Sequence, residues 1–378
     1  MKRDILLIVL GTVAVRVAVV ALFGIRDSSD TLLYIEGAAG WRDSGAGLLS
    51  LFASSQGRSP LVVALIAGLQ SRFENWRVLV VAIQTLASIA VPVALYLAAR
   101  RGGMSRTGAW AAAMLAIASY ELSRWNAYVL TDALFIVCSG AAMCATIVAL
   151  STRSVAWGLA TVILVIGALL VRPTGPAVAL AVALAACLVR PPARAVIGIS
   201  VATVLAVVAF ESFIVRSEAR RKLAIHACIQ LIEGRVTFGT ASFEVARLAD
   251  ASVPEGTSMA ACLVRVAIDH PGHVLNVMTR RAIVYWLPVY PNYSTRHNFA
   301  NVVLLGVPLV LAGVGLFSGG RAFRDDVVRV VGASFVIAFG LFHTATWSEG
   351  DHRFLAPVLP AVYLLAGRAI DRFLRMPI

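Results

Sequence analysis

Val129-Leu130-Thr131-Asp132-Ala133-Leu134-Phe135-Ile136-Val137-Cys138-Ser139-Gly140-Ala141-Ala142-Met143-Cys144-Ala145-Thr146-Ile147-Val148-Ala149-Leu150 carries a single charge, Asp132, near its start. A helix of this length rises about 33 Å at 1.5 Å per residue, enough to cross a hydrocarbon core of about 30 Å. A lone strand is excluded, because its backbone N–H and C=O groups would find no partners in lipid. The stretch predicts a membrane-spanning helix with a carboxylate at its mouth.

Similar runs recur on both sides. The 378 residues are 59% hydrophobic and 14% charged, with mean hydropathy +0.84, whereas soluble domains carry about 25% charged residues. Hydropathy places spans at about 5 to 25, 77 to 99, 107 to 122, 129 to 150, 155 to 171, 174 to 189, 195 to 214, 299 to 318, 328 to 345 and 354 to 370. The expected fold is a single all-α polytopic domain over residues 1–378 with about ten spans. Pro60 to Gln70 is about half the length a crossing needs and is expected to lie at the interface. The first apolar run follows Lys2 and Arg3, as in a secretory signal, but it is too long and no Ala-x-Ala cleavage site follows. It is expected to be retained as the first span.

The basic residues set the orientation. With these spans, one set of short connections holds fourteen Lys or Arg residues, from Lys2 and Arg3 through Arg100, Arg101 and Arg106 to Arg372 and Arg375, against Asp4, Asp325, Asp326 and Asp371. That side is expected to be cytoplasmic, with both termini, in a bacterial inner membrane. This distribution accounts for most of the formal +13, so the charge is no nucleic-acid footprint and no nucleic-acid partner is expected. The opposite face then receives 26 to 76, 123 to 128, 171 to 174, 215 to 298 and 346 to 353. Loops as long as 26 to 76 and 215 to 298 usually carry function or their own structure. Within them, Phe210 to Leu231 and Ala260 to Leu287 show helical spacing.

One surface thereby collects Asp30, Arg124, Asp132, Arg172, His352 and Arg353. The segment His343-Thr344-Ala345-Thr346-Trp347-Ser348-Glu349-Gly350-Asp351-His352-Arg353-Phe354-Leu355-Ala356-Pro357 is the densest polar cluster. Ionisable groups beside hydrocarbon cost roughly 2.5 to 3.5 kcal/mol each, so such a cluster implies a task. In Asp30-Thr31-Leu32-Leu33-Tyr34-Ile35-Glu36-Gly37-Ala38, the residues Asp30, Tyr34 and Ala38 share one helical face. Cys228 and Cys262 fall in the same outer loop, where a disulfide could form if their backbones approach within about 7 Å. Cys138, Cys144 and Cys187 fall inside spans and need no function.

The pattern Asp30-x-x-x-Tyr34-x-x-x-Ala38 after the first span, followed by the Pro-started apolar helix at Ser59-Pro60-Leu61, resembles membrane glycosyltransferases of the GT-C fold. These include the protein O-mannosyltransferases and the lipid A aminoarabinose transferases. The resemblance continues in order through Arg77 to Arg101, Arg124 to Phe135, Val171-Arg172-Pro173-Thr174-Gly175, Asp269-His270-Pro271-Gly272-His273, Trp286-Leu287-Pro288 and His352-Arg353-Phe354-x-x-Pro357-x-x-Pro360.

The resemblance implies transfer of a hexosyl or pentosyl unit from a polyprenyl-phosphate-sugar donor to an envelope acceptor on the extracytoplasmic face, beside membrane lipid. Such chemistry needs a carboxylate base for the acceptor, for which Asp30 is the candidate. It also needs fixed cations for the leaving phosphate, and Arg353, Arg172 and Arg124 have suitable planar guanidinium groups. Asp132 would support the acceptor, with Tyr34 and His352 lining the substrate site. Thr31 departs from relatives with two adjacent acids here, and a lone Asp is a poor cation site. No cofactor is implied. Divalent metal finds no support, because His343 and His352 match no established zinc spacing.

Plainer roles compete at each position. Asp30 and Asp132 could each cap a helix, and Arg353 could snorkel and pair with Glu349 or Asp351. An aromatic belt accounts for Tyr34, Trp41, Trp76, Trp125, Trp286 and Trp347. Arg16, alone in the first span, must face the bundle interior or water, holding a phosphate or pairing with another span. A lipid-linked-sugar transporter or flippase, or a non-catalytic assembly subunit, are the other function classes. No paired halves of the transporter kind occur in the sequence.

Overall fold

The computed structural model describes residues 1–45, 59–189, 228–238, 243–249, 259–317, 322–346, 348–349 and 352–375. Helix α1 (Lys2–Phe23) stops at Gly24, whose φ of 67° turns the chain out of the helical path. After it come α2 (Ser29–Asp43) and α3 (Pro60–Gln70), then α4 (Trp76–Ser88) and α5 (Ala90–Arg101). The interruption between α4 and α5 has a local cause: Pro92 has no N–H to give the Ser88 carbonyl.

The expected 107 to 122 span is broken. Helix α6 (Arg106–Ala118) ends where Ser119 turns extended, with ψ of 111°. Ser119 Oγ then accepts the Leu122 N–H and starts the short α7 (Tyr120–Arg124). The opening stretch forms α8 (Asp132–Thr152), followed by α9 (Val155–Val171) and α10 (Gly175–Leu188). The expected span 195 to 214 lies outside the described residues, as does the Phe210 to Leu231 pattern up to residue 227.

The outer segment contains α11 (Met259–Asp269) and α12 (Pro271–Trp286). They carry the helical spacing read over Ala260 to Leu287, divided in two because Pro271 starts a new helix after the non-helical His270. Cys228 and Cys262 form a disulfide, with Cα atoms 6.3 Å apart. It lies in a small core with Leu231, Ile232, Val266 and Val277.

Next, α13 (Thr295–Asn301) continues through a π turn at Val302–Gly306 into α14 (Val307–Phe317). Helix α15 (Val327–Ala345) is capped by the Asp326 side chain, and α16 (Leu359–Phe373) closes the bundle. The last span starts later than hydropathy suggests, because Phe354 and Leu355 lie in a turn and Ala356–Val358 is a 3₁₀ turn. The strands among the described residues are β1 (Thr237–Phe238) and β2 (Ser348–Glu349), paired in parallel.

Among the described residues, five helices are long and apolar enough to cross a membrane: Lys2–Phe23, Trp76–Arg101, Asp132–Thr152, Thr295–Phe317 and Val327–Ala345. The shorter apolar helices are Pro60–Gln70, Val155–Val171 and Gly175–Leu188. The expected ten spans therefore do not all appear as helices of crossing length. The break at Ser119 and the late start of α16 account for two of the differences.

One end of the bundle gathers the N-terminal end of α1 and the C-terminal end of α16. There Tyr96 Oη donates to Asp4 at 2.6 Å, and Arg106 pairs with Asp4 at 2.5 Å. The Ser105 N–H donates to Asp371 at 3.2 Å, and Arg368 pairs with Asp326. Helices α6 and α16 cross at Gly108 and Gly367, where a Cβ on Gly367 would stand 2.6 Å from the Gly108 carbonyl oxygen. Small residues allow such backbone approach where apolar burial supplies no drive between helices. The remaining charged cluster lies at the other end.

Candidate active site

Backbone pairing joins two segments distant in sequence. The Arg26 N–H donates to Ala127 O at 2.9 Å and the Val129 N–H to Arg26 O at 3.1 Å. This sets the start of α2 beside the start of α8. Ser28, rather than Asp30, caps α2: its Oγ accepts from the Thr31 N–H, and Thr31 Oγ1 accepts from the Ser28 N–H. Thr31 Oγ1 also donates to Val129 O at 2.9 Å. The residue that departs from the two-acid pattern is thus a fully buried tie between the segments. Asp30, relieved of capping, reaches Arg353.

Arg353 joins the two acids. Its Nη2 lies 2.7 Å from Asp30 Oδ2 and 3.0 Å from Asp132 Oδ2, while its Nε donates to Asp132 at 3.0 Å. Arg172 pairs with the other Asp132 oxygen. Asp132 is fully buried and held by two guanidinium groups, so its carboxylate is committed to ion pairing although it begins a helix. Arg172 leaves the end of α9 in extended backbone and lies over the Phe354 ring at 5.0 Å. Gln84 Nε2 donates to Leu130 O at 2.5 Å and fixes the approach to Asp132.

Tyr34 lies one helical turn after Asp30. Burial and the nearby Asp30 and Asp132 carboxylates raise its phenol above the ordinary range. The hydroxyl is therefore a neutral donor beside the acids.

Arg124 lies at Trp125, beside the four-residue cluster. Its guanidinium lies over the Trp125 ring at 4.3 Å and Arg353 over the same ring at 5.9 Å. Trp125 is buried at the site, so it is not a lipid-facing belt residue. Arg124 Nε is 2.9 Å from Glu121 Oε2. Glu121, buried inside the expected 107 to 122 span, was not among the sequence candidates. A carboxylate near the end of an apolar run was the signal for it.

His352 adopts φ of 61°, uncommon for a non-glycine residue. Its Nε2 bonds the Leu287 carbonyl at 3.2 Å, and its ring lies 4.7 Å from that of Tyr290. Burial, with the Arg124 charge nearby, depresses its pKa to about 4, so the imidazole is neutral. It turns into the protein and supports the turn that presents Arg353. His343 stacks between Tyr285 at 5.0 Å and Phe354 at 4.8 Å. Asp351 lies outside the described residues. Among the described residues no group of three His, Cys, Asp or Glu side chains could hold a metal ion.

The structure thus brings Asp30, Asp132, Arg172 and Arg353 into direct contact, with Tyr34 beside them. Arg124 joins through Trp125, and His352 lies behind the turn. Arg16 bonds another span, to Ala116 O, Ser119 O and Ser123 Oγ.

No protein-family model matches the chain, and no curated protein matches it. Among solved structures, it is similar to the Archaeoglobus fulgidus oligosaccharyltransferase in the apo form, at 13% identity and TM-score 0.58, covering 97% of this chain and 50% of that one. A second likeness is to the archaeal oligosaccharyltransferase AglB from the same organism, in complex with an inhibitory peptide and a dolichol-phosphate. It has 12% identity and TM-score 0.48, covering 85% of this chain and 44% of that one. The chain spans about half the length of these structures. The shared architecture with the apo enzyme is the GT-C fold of membrane glycosyltransferases.

Proposed function

We propose that the chain is a glycosyltransferase that moves a hexosyl or pentosyl unit from a polyprenyl-phosphate donor to an envelope acceptor. The observation that carries this reading is the Arg353 guanidinium touching both Asp30 and Asp132, with Arg172 on the same carboxylate. Two planar cations beside an acid offer what a displacement at a glycosyl phosphate needs. Asp30 takes the proton of the acceptor hydroxyl or amine, and the acceptor atom bonds the anomeric carbon. The bond from that carbon to the phosphate oxygen breaks, its electron pair passes to the phosphate, and the configuration inverts.

Charge moves in a closed way through this site. Asp30 loses its negative charge on protonation as the phosphate gains one, and Arg353 is placed to touch both. Asp132 keeps the guanidinium groups in position and supports the acceptor, and Tyr34 donates to substrate oxygen. Arg124 adds a third cation for the phosphate or the adjoining sugar.

The proposed topology has about ten crossings, both termini cytoplasmic and the cluster extracytoplasmic. Its support is the set of basic connections at the end opposite Asp30.

The test uses purified protein in nanodiscs with a synthetic polyprenyl-phosphate sugar and candidate hydroxyl acceptors. Asp30→Asn is expected to lower transfer by about 10² or more. Transfer at the wild-type rate removes Asp30 as the base. Movement of intact donor between leaflets without glycosyl transfer assigns the chain to the transporters.

A further inference from the structure

Arg16 is 1% exposed in the middle of a span, and no step above uses it. A guanidinium there remains charged and requires polar partners. Its Nη1 donates to Ser119 O at 3.4 Å and to Ser123 Oγ, and its Nη2 to Ala116 O at 3.3 Å. The three acceptors flank the break between α6 and α7: Ala116 in the last turn of α6, Ser119 at the break and Ser123 in α7. Among the described residues no carboxylate lies within ion-pair distance of it.

The break itself has few causes in the sequence. Ala111-Ala112-Ala113-Met114-Leu115-Ala116-Ile117-Ala118 favours an unbroken helix, and no proline or glycine interrupts it before Ser119. Ending a helix inside an apolar bundle leaves its last carbonyls without N–H partners, a costly state in lipid. Arg16 supplies donors at that point. Tyr363 Oη holds Ser119 Oγ from the other side at 2.8 Å, and Ser123 Oγ donates to Ser119 O at 2.6 Å. Beyond the break, α7 carries Glu121 and Arg124 and leads directly to Trp125, the ring shared by Arg124 and Arg353.

We propose that Arg16 is a positioning residue that stabilises the break at Ser119 and thereby holds α7, with Glu121, Arg124 and Trp125, against the phosphate-binding arginines. An unbroken helix would carry Glu121 and Arg124 onward along the α6 axis, about 100° further round per residue. A lysine keeps the charge but cannot reach three divergent acceptors as a planar fork does. The ligand readout rests on the function proposed above, whereas the backbone readout does not.

The experiment uses the full chain in nanodiscs, with polyprenyl monophosphate as the probe and monodisperse material for every variant. Arg124→Ala and Arg16→Met are each expected to weaken binding about tenfold. Arg16→Met in the Arg124→Ala background is expected to add less than about twofold, as for residues acting through one another. Arg16→Lys should fall between wild type and Arg16→Met, and it replaces Arg16→Met if that variant does not fold. Amide hydrogen exchange across residues 119–128 should rise in the Arg16 variants, while peptides from 140–152 stay unchanged.

Wild-type affinity in Arg16→Met, fully multiplicative losses, or unchanged exchange at 119–128 overturns the proposal. If wild type itself does not bind the probe, the functional reading fails. The exchange comparison then decides the role of Arg16 alone.

Discussion

Arg353 Nη2 lies 2.7 Å from Asp30 Oδ2, across more than three hundred residues of chain. The cation assigned to the leaving phosphate is therefore closed on the carboxylate assigned to the acceptor. A donor phosphate competes with Asp30 for Arg353. Asp30→Asn is expected to bind polyprenyl monophosphate about three- to tenfold more tightly than wild type while losing transfer. Calorimetry in nanodiscs measures this, and weaker binding in Asp30→Asn would remove the competition.

Asp132 is fully buried between Arg353 and Arg172. Asp132→Ala leaves two guanidinium groups facing each other without their shared acid, a change of the kind that costs about 3–5 kcal/mol. Asp132→Asn keeps the shape and accepts one hydrogen bond, so its thermal unfolding should fall between wild type and Asp132→Ala. Equal unfolding temperatures for all three would mean that the pairing contributes nothing to the fold.

His352 gives a pH dependence with a definite sign. Burial lowers its pKa from 6.5 to about 4, so the unfolded chain binds a proton here more readily than the folded one between those values. Stability from this group is fully present above 6.5 and falls as pH drops toward 4, by about 3 kcal/mol in all. His352→Asn should flatten that part of a stability profile measured by thermal unfolding. An unchanged slope would assign the acid sensitivity to other groups.

The Cys228–Cys262 bridge closes a separation of 34 residues. The chain-entropy account gives about 3–4 kcal/mol for a loop of that size. Reduction, or Cys228→Ser with Cys262→Ser, should lower the thermal stability of the outer segment. Mass spectrometry of the unreduced protein checks the bridge first, and free thiols at both positions would contradict it.

Much of this architecture was legible in the linear chain because membrane helices announce themselves by length and apolarity. The grouping of Asp30, Asp132, Arg172 and Arg353 followed from sidedness, since alternate crossings deliver alternate connections to one end. Ser28 as the cap of α2 was less accessible, because Ser28, Ser29 and Asp30 are all competent caps. The break at Ser119 and the role of Glu121 were not legible. Hydropathy averages over Ala-rich residues, and the partners that stabilise the break, Arg16 and Tyr363, come from the two ends of the chain. Trp125 reads as a belt residue because composition cannot tell a ring at the lipid edge from one buried beside two cations.

The most direct test is a cryo-electron microscopy structure of the full chain with polyprenyl monophosphate bound. The phosphate oxygens are expected within about 3 Å of the Arg353 and Arg172 guanidinium groups, with Arg353 released from Asp30. A phosphate seated at the opposite end, among Arg100 and Arg106, or one bound while Arg353 stays closed on Asp30, would contradict the assignment.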